Sequence, residues 1–401
     1  MNLLYYFGIK VYYFLVLVFS LFSEKARLFV RGRRKLFQDL KNKIDPNHRV
    51  VWFHCASLGE FEQGRPLIEE IKSRYPDIKI LLTFFSPSGY EIRKNYKWAD
   101  VVTYLPLDTP RNARRFLEIV QPEEVFFIKY EYWYFFLREI KKQNIPVFLV
   151  SAIFRKNQFF FKSYGAWFRK VLHYFDHIFV QNNASRKFLE DYQINHVTVS
   201  GDTRFDRVRK IAENARPIEL IEKFKGDHYL LVAGSTWPKD EEVLTRYFKE
   251  TSHSLKMIIA PHEVHESRIN GLMSRLSGGH MIKYSKADES SLLSASVLVI
   301  DSIGLLSSLY RYGNISYVGG GFGKGIHNIL EPATFGLPVI FGPNHEKFRE
   351  AMDLKKHGGA FAIDGYHSLK DLMNRFLDNP DEISKAGKIS RQYVKNNTGG
   401  T

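Results

Sequence analysis

The chain contains 401 residues, of which 44% are hydrophobic and 15% aromatic, so it cannot be a disordered protein and can supply the cores of two domains. Its 58 lysines and arginines exceed its 43 aspartates and glutamates, and the resulting formal net charge of +15 favours anionic partners. The one cysteine, Cys55, excludes an intrachain disulfide, and no Cys/His cluster with metal-ligand spacing accompanies it.

The first predicted element is an apolar segment from Leu3 to Phe22, in which Lys10 is the only charge. About 20 such residues suffice for a helix that crosses a bilayer. Six basic residues follow between positions 25 and 35, and the positive-inside rule places them in the cytoplasm. Lys10 and the aromatic residues leave a helix lying in the membrane interface as the alternative to a spanning helix. Both alternatives predict membrane association, with the rest of the chain on the cytoplasmic face of the inner membrane.

After this segment, short apolar runs alternate with amphipathic helical segments. Strands are predicted at 49–55, 78–85, 101–104, 124–128, 147–153 and 177–180, and again at 229–233, 257–260, 297–301, 315–318 and 339–341. A polar stretch near 201–217 interrupts the alternation. The pattern predicts an α/β protein with two doubly wound, Rossmann-like domains that bind ligands in a central cleft between them. We predict an anchor and basic linker at 1–35, an N-terminal domain at 36–208 and a C-terminal domain at 209–401.

The most informative motif is the glycine-rich segment from Gly319 to Pro343, which follows a predicted strand. A short helix is predicted to open at His327, and a further strand comes after it. Glycines allow a close approach of backbone to ligand, and a helix N-terminus attracts anions. Glu331 is unusual in a phosphate-binding loop, because a carboxylate is better suited to sugar hydroxyls. The segment therefore indicates a nucleotide-sugar site, with a tight turn between two buried strands as the alternative.

Three charged residues follow strands of the first half. Glu60 lies in the first turn of a helix after the first strand, where it is either a general base or a helix cap and partner of the helix dipole. Glu131 follows an apolar strand among aromatic residues and either binds substrate or forms a structural ion pair. Arg204, near the domain junction, either approaches a leaving phosphate or pairs with Asp202 or Asp206.

Three strand ends in the second half also carry polar loops, at positions 234–236, 260–263 and 301–304. Together with the glycine-rich segment they indicate that the second domain holds a nucleotide. The residues His262, Glu263 and His265 lack the His-Glu-x-x-His spacing of a zinc site, and no Asp-x-Asp pair is present to hold a metal-bound diphosphate. We therefore expect a reaction that needs neither a metal ion nor another cofactor.

Seven motifs in the same order make the chain resemble the Kdo transferases, which move 3-deoxy-D-manno-oct-2-ulosonic acid (Kdo) from CMP-Kdo to a lipid A precursor. The motifs are CASLGEFEQGRP from Cys55, Glu131-Tyr132-Trp133, GDTRFD from Gly201, AGST from Ala233, APH from Ala260, DSIG from Asp301 and HNILEPA from His327. The resemblance covers nearly the whole chain. It implies the GT-B glycosyltransferase fold with an N-terminal membrane anchor, and an inverting transfer to a lipid IVA type acceptor in lipopolysaccharide synthesis.

The resemblance also implies roles for individual residues. Glu60 corresponds to the general base, Glu131 to a residue that stabilises the transition state, and Arg204 to a lysine that meets the leaving phosphate. The residues implied in CMP-Kdo binding are Pro261, His262, Ile303, Gly304, Leu305, Asn328, Ile329, Leu330 and Glu331. The family usually has arginine where His262 stands and often glutamate where Leu305 stands, so the nucleotide contacts differ in detail. Members of this fold often return a C-terminal helix to the first domain, and here the last helical run, 384–396, ends close to Thr401.

Two other enzymes remain as alternatives: a GT-B enzyme that uses a UDP-sugar, and a nucleotide-sugar epimerase of similar architecture. The net charge also suits nucleic acid, but the sequence contains no recognition helix and no aromatic stacking motif. We therefore expect CMP-Kdo, a lipid A precursor and membrane lipid as partners, and no nucleic acid.

Overall fold

The computed structural model describes residues 2–275 and 281–401, apart from the side chains of Phe159 and Tyr164. The chain divides into two compact units. Unit 1 comprises Met1–Asp206 and Gly399–Thr401, and unit 2 comprises Arg207–Thr398.

Unit 1 is organised around one parallel sheet. Its strands are Val50–Cys55 (β1), Lys79–Phe84 (β2), Val101–Tyr104 (β3), Glu124–Ile128 (β4), Val147–Ala152 (β5), His177–Val180 (β6) and Val197–Val199 (β7). In the described part of the chain their order is β3-β2-β1-β4-β5-β6-β7, so consecutive strands run outward from β1 in both directions. This is the doubly wound order predicted from the sequence.

Helices cover both faces of this sheet. Those of unit 1 are Asn2–Phe19 (α1), Glu24–Arg31 (α2), Leu36–Lys43 (α3), Leu58–Arg74 (α4), Pro87–Arg93 (α5), Pro110–Val120 (α6), Tyr134–Lys142 (α7), Ala166–Arg169 (α8) and Asn183–Glu190 (α9). Alternate residues of β1 enter two separate cores: Trp52 packs in one core, and Phe53 packs in the other. Because both faces are buried, the strands of the sheet are almost continuously apolar.

Unit 2 repeats the arrangement. Its strands are Tyr229–Thr236 (β8), Leu255–Pro261 (β9), Met281–Lys283 (β10), Val297–Val299 (β11), Ile315–Val318 (β12), Val339–Phe341 (β13) and Ala360–Ala362 (β14). In the residues that the structure describes, their order is β10-β11-β9-β8-β12-β13-β14 and every pair is parallel. The sequence did not predict β7, β10 or β14. These three strands are only partly buried, whereas the equally short β11 and β13 are buried throughout and lie in longer apolar runs.

The helices of unit 2 also lie on both faces of the sheet. They are Glu219–Lys225 (α11), Pro238–Glu250 (α12), Glu266–Arg275 (α13), Glu289–Ser294 (α14), Leu306–Leu309 (α15), Leu330–Thr334 (α16), Arg349–His357 (α17), Tyr366–Asp378 (α18) and Pro380–Asn396 (α19). Helix α16 begins at Leu330, so the prediction that it begins at His327 is wrong. The segment before it remains extended around the glycine-rich loop.

The polar stretch near 201–217 also differs from the sequence prediction. It contains helix Thr203–Glu213 (α10), which includes the boundary between the units. The sequence did not identify this helix because its composition is dominated by charged residues, although Phe205 and Val208 are buried. Two buried side chains at a spacing of three residues suffice to fix one face of a helix.

Helix α1 packs against the rest of unit 1 along one face and exposes the opposite face. The half-buried residues Tyr5, Tyr6, Ile9, Tyr13 and Val16 recur at the spacing of one helix face. The exposed apolar side chains include Leu3, Leu4, Phe7, Val11, Phe14, Leu15, Val18 and Phe19. By length and composition α1 can cross a membrane. Its exposed face is too apolar for water and suits lipid.

The inner face of α1 is held by a buried acid. The Tyr5 hydroxyl donates to Oδ2 of Asp108 at 2.7 Å. The carboxylate of Asp108 also accepts the backbone N–H groups of Phe135 and Phe136, at 3.1 and 3.0 Å, in the first turn of α7. Burial raises the pKa of Asp108 to about 6, and these three donors oppose that rise. One carboxylate therefore joins helix α1 to the core of unit 1.

Candidate functional site

Both sheets have a topological switch point, where adjacent strands lead to connections on opposite sides. In unit 1 it lies between β1 and β4, and in unit 2 between β8 and β12. Ligands of doubly wound sheets bind beyond the carboxyl ends of such strands. In unit 1 these ends carry Glu60 and Glu131. In unit 2 they carry Trp237 and the glycine-rich loop that begins at Gly319.

Glu60 is held at the start of α4 by Ser57. Its Oε2 accepts the backbone N–H of Ser57 at 2.8 Å and the Ser57 hydroxyl at 3.1 Å. This is the reciprocal half of a capping box, and it orients the carboxylate. Among the described residues, no hydrogen bond reaches Oε1, so that oxygen can accept a proton from a ligand. The alternative role as a helix cap is therefore present, but it occupies only Oε2 and leaves Oε1 available to a ligand.

The surroundings of Glu60 raise the pKa of its carboxyl group. Burial raises the pKa of Glu60 to about 7, the negative charge of Glu131 adds to the rise, and the hydrogen bonds from Ser57 and the charge of Lys129 oppose it. A general base works best when its pKa lies near the working pH. Lys129 itself has a backbone φ of +72°, an uncommon conformation for a residue with a side chain.

Glu131 is buried, and one of its carboxylate oxygens accepts two N–H groups. Its Oε2 lies 3.0 Å from Nε2 of His54 and 2.6 Å from Nε1 of Trp133. Since a carboxylate can only accept, we assign the proton of His54 to Nε2. Thr83 lies 2.8 Å from Nδ1 of His54 and accepts from the indole of Trp52, also at 2.8 Å. A continuous chain of hydrogen bonds therefore runs from the sheet core to Glu131.

Arg204 pairs with Asp202, as the structural alternative predicted. The guanidinium nitrogens Nε and Nη2 lie 2.9 and 2.7 Å from Oδ2 of Asp202. The adjacent Thr203 donates to the backbone oxygen of Gln63 in α4 at 2.5 Å. Arg204 is thus fixed in unit 1 close to the helix that carries Glu60. In this ion pair the Arg204 side chain remains partly exposed, with 31% of its surface accessible.

In unit 2, three aromatic rings stack beside the glycine-rich loop. The ring of His327 lies 4.3 Å from that of His262, and the ring of Trp237 lies 4.9 Å from that of His262, with interplanar angles of 22° and 26°. Trp237 Nε1 donates to Nε2 of His327 at 3.0 Å. Burial, together with the proximity of His262, lowers the pKa of His327 to about 4. His327 is therefore neutral at pH 7 and accepts the indole proton.

The glycine-rich loop is closed by a buried acid and by close backbone contacts. Asp240 accepts hydrogen bonds from the Tyr317 hydroxyl at 2.7 Å and from the backbone N–H of Gly320 at 3.0 Å. A Cβ on Gly321 would lie 2.6 Å from the backbone of Gly342, so only glycine fits there. A cavity of about 600 Å³ lies between this loop and Trp237. Its size is that of a typical small-ligand site.

The candidate nucleotide residues fall into three groups. Glu331 accepts from Nδ2 of Asn328 at 3.0 Å and from the hydroxyl of Ser307 at 2.8 Å, so its carboxylate is fixed in place. Ile329 and Leu330 have buried side chains, so only their backbone groups can meet a ligand. In the second group, Ile303 is 87% exposed, Gly304 is exposed and Leu305 is half-buried. In the third, Pro261 is buried at the end of β9, and the adjacent His262 is exposed.

Comparison with known proteins decides the family. A family model described as 3-deoxy-D-manno-octulosonic-acid transferase (kdotransferase) matches residues 30–207. A 3-deoxy-D-manno-octulosonic acid transferase of Aquifex aeolicus is 30% identical over 356 residues, which cover 86% of this chain and 92% of the relative. The chain belongs to this transferase family. It is therefore a glycosyltransferase. The enzyme of that name from Haemophilus influenzae is 25% identical over 400 residues, covering 96% of this chain and 92% of the relative.

Solved structures with the same fold agree with the architecture. A UDP-GlcNAc 2-epimerase from Neisseria meningitidis has a TM-score of 0.61 at 14% identity, covering 88% of this chain and 97% of that one. MurG from Acinetobacter baumannii has a TM-score of 0.56 at 12% identity, with the same coverage. At such identity the likeness concerns the fold alone. It confirms the predicted GT-B-like pair of doubly wound sheets.

Several site residues of this Kdo transferase family member escaped the sequence prediction. His54, Trp133 and Thr83 support Glu131, while Trp237, His327 and Ser307 line the unit 2 loops. Trp133 and His327 lie inside motifs that the sequence singled out and His54 directly precedes one, so their position was a usable signal. Thr83 and Ser307 had none, because a single hydroxyl on a strand or helix is common. In residues 2–275 and 281–401 no cluster of three His, Cys, Asp or Glu side chains is placed to hold a metal ion.

Proposed function

We propose that the protein transfers Kdo from CMP-Kdo to a lipid A precursor of the lipid IVA type, with inversion and without a metal ion. The observation that carries this proposal is the state of Glu60, whose pKa is raised to about 7 and whose Oε1 accepts no hydrogen bond from the described residues. Family membership supplies the sugar that is transferred. The carboxylate supplies the base that an acceptor hydroxyl needs.

In the proposed reaction, Oε1 of Glu60 accepts the proton of an acceptor hydroxyl while that oxygen forms a bond to the anomeric carbon of Kdo. The bond from this carbon to the CMP phosphate oxygen breaks, and its electron pair leaves with CMP. Oε2 of Glu131 accepts N–H groups from His54 and Trp133, which fix the position of this carboxylate. Its negative charge stabilises the positive charge that develops on the sugar. Arg204 opposes the negative charge on the leaving phosphate.

We assign the CMP moiety to unit 2. The residues proposed to contact it are Pro261, His262, Ile303, Gly304, Leu305, Asn328, Ile329, Leu330 and Glu331. The fixed carboxylate of Glu331 suits ribose hydroxyls, since two donors already orient it. The stacked face formed by Trp237 and His262 suits a planar base. The proposed domains are those given above, with the acceptor in the N-terminal domain and the donor in the C-terminal domain.

The proposed location is the cytoplasmic face of the inner membrane. The apolar outer face of α1 supports contact with lipid, and the contact of Tyr5 with Asp108 favours a helix that lies along unit 1. A phosphorylated glycolipid acceptor is anchored in the same bilayer. Attachment of the enzyme to that surface confines both partners to one plane and raises their encounter rate.

The test is to incubate the purified full-length protein with CMP-Kdo and a tetraacylated lipid A precursor and to weigh the products by mass spectrometry. We expect the mass of one or more Kdo units on the lipid and release of CMP. Glu60→Ala should abolish the product, whereas Glu60→Asp should retain part of it. Full activity of Glu60→Ala would remove Glu60 from the mechanism. Turnover of a UDP-sugar with no turnover of CMP-Kdo would favour the UDP-sugar alternative, and a changed sugar nucleotide without acceptor would favour an epimerase.

A further inference from the structure

A cationic cavity lies in unit 1 between α1 and the start of α6. Its volume is about 840 Å³, within the range of small-ligand sites. The charged side chains that line it are Lys10, Arg33, Arg111, Arg115 and Arg138, and no carboxylate of the described residues is among the lining groups. The rest of the wall is largely apolar. We call it the α1–α6 cavity.

Most of these charges form no close ion pair, although the charge of Arg138 acts on the buried carboxylate of Asp108. Within the described residues, none of Lys10, Arg111, Arg115 and Arg138 forms an ion pair with a carboxylate within 4.0 Å. Arg33 differs, because it donates to the backbone oxygens of Leu105 and other residues and is part of the fold. Four cations directed at one cavity repel one another, and a bound anion relieves that repulsion.

Aromatic side chains hold two of the cations in place. The guanidinium of Arg115 lies 4.3 Å from the ring centre of Phe37, and that of Arg138 lies 5.1 Å from the ring centre of Phe135. Nε of Arg138 is hidden from solvent and has no hydrogen-bond partner among the residues described. A buried donor without a partner costs free energy, so this guanidinium is held by packing and not by a hydrogen bond at Nε. The planar guanidinium groups suit phosphate oxygens.

One wall of the cavity is the membrane helix itself. Leu3 and Tyr6 of α1 line it, while Leu4 and Phe7 on the same helix are exposed. If the exposed face of α1 contacts acyl chains, the cavity lies at the depth of the lipid headgroups. A soluble anion would not need the apolar wall, whereas a lipid uses both the cations and that wall.

We propose that the α1–α6 cavity binds the phosphate group of a membrane lipid. A bilayer glycerophospholipid at this cavity goes beyond the proposed function, whereas a phosphorylated glycolipid there rests on it. The phosphate belongs either to a glycerophospholipid of the bilayer or to a phosphorylated glycolipid. Both present the same chemistry, an oxyanion at the membrane interface joined to acyl chains. Bound there, the lipid stabilises α1 against unit 1 and fixes the depth of the enzyme in the bilayer.

The experiment measures binding of the full-length protein to vesicles at physiological salt. Three compositions are compared: phosphatidylcholine alone, phosphatidylcholine with phosphatidylglycerol, and phosphatidylcholine with a phosphorylated glucosamine disaccharide lipid. The double variant R111Q/R115Q removes two cations of the cavity. Leu107→Trp narrows the cavity without a change in charge, since Leu107 lines it. The matched control K385Q/K388Q removes two exposed lysines of α19.

We expect R111Q/R115Q to bind one or both anionic compositions roughly thirtyfold more weakly, at about 1 kcal/mol per cation. Leu107→Trp should weaken the same binding, and K385Q/K388Q should leave it unchanged. A loss confined to phosphatidylglycerol identifies a bilayer lipid, and a loss confined to the glycolipid identifies that lipid instead. Unchanged binding of both cavity variants overturns the proposal. So does an equal loss for R111Q/R115Q and K385Q/K388Q with none for Leu107→Trp, because that pattern reports diffuse charge. Thermal unfolding of each variant confirms that it is folded.

Discussion

Nε2 of His54 lies 3.0 Å from Oε2 of Glu131, although the two residues are 77 positions apart in the chain. Both side chains are buried, His54 completely and Glu131 to within 5%. The imidazole is oriented from its other side by Thr83. His54 is therefore a positioning residue that orients the carboxylate of Glu131, and through the charge of Glu131 it influences the carboxylate of Glu60.

Replacement of His54 tests this positioning role. We expect His54→Leu to lower the free energy of unfolding by about 1–3 kcal/mol, because Glu131 loses a donor in a buried place. Glu131 should then lose its fixed orientation, and its negative charge should act less strongly on Glu60. The acid limb of the pH–rate profile should move to lower pH. His54→Gln, whose amide can reach the position of Nε2, should restore most of both properties. An unshifted acid limb in His54→Leu would limit His54 to a structural role.

Glu60→Gln separates the base from the helix cap. The folded state raises the pKa of Glu60 from an ordinary 4.5 to about 7, so it binds more protons than the unfolded state between these values. Stability conferred by protonated Glu60 is therefore lost as the pH rises from 4.5 to 7. Gln keeps the capping box without the charge. At pH 8 we expect Glu60→Gln to be inactive yet more stable than the parent by about 1–2 kcal/mol.

Urea unfolding at two pH values checks that prediction. Below pH 4.5 both forms of residue 60 are neutral, so Glu60→Gln and the parent should unfold alike. Glu60→Ala is the control, since it loses the cap and should be less stable than Glu60→Gln at either pH. Equal stability of Glu60→Gln and the parent at pH 8 would mean that the pKa of Glu60 is not raised. In the parent, kcat/KM should rise about tenfold per pH unit below pH 7.

Tyr5→Phe tests the attachment of α1. The variant removes the hydroxyl that donates to buried Asp108, and we expect a loss of about 1–3 kcal/mol in the free energy of unfolding. The pKa of Asp108 should rise above about 6, because one opposing donor is gone. Tyr13→Phe is the control, as the Tyr13 hydroxyl makes no hydrogen bond to the described residues. Thermal unfolding and the rate of proteolysis of α1 provide the measurements. Equal behaviour of the two variants would show that the Tyr5 hydroxyl does not secure the helix.

Gly321→Ala tests the closed glycine-rich loop. Its Cβ would lie 2.6 Å from the backbone of Gly342, and backbone cannot yield as a flexible side chain does. We expect a loss of about 1–3 kcal/mol in stability and a higher KM for the nucleotide sugar. Gly323→Ala is the matched control, since its nearest neighbour would be the Gly320 oxygen at 3.5 Å. Calorimetry and steady-state kinetics measure the two effects. A Gly321→Ala variant indistinguishable from Gly323→Ala would contradict the close contact.

The sequence by itself determined the doubly wound class, most strands, and the loops in which the candidate residues lie. This was possible because strands buried on both faces must be continuously apolar, and because glycines and carboxylates at strand ends are local patterns. Short strands such as Ala360–Ala362 and the charged helix Thr203–Glu213 were missed, since their burial depends on neighbours rather than on their own composition.

Only the tertiary structure decided which side chains meet. His54 reaches Glu131 because β1 and β4 are neighbours in the sheet, and Trp237 reaches His327 across 90 residues because β8 adjoins β12. The attachment of Tyr5 to Asp108 spans 103 residues. Strand order sets such contacts, and strand order follows from the packing of the whole sheet. A local pattern of residues therefore predicts a strand and its loop but not the partner of a side chain within it.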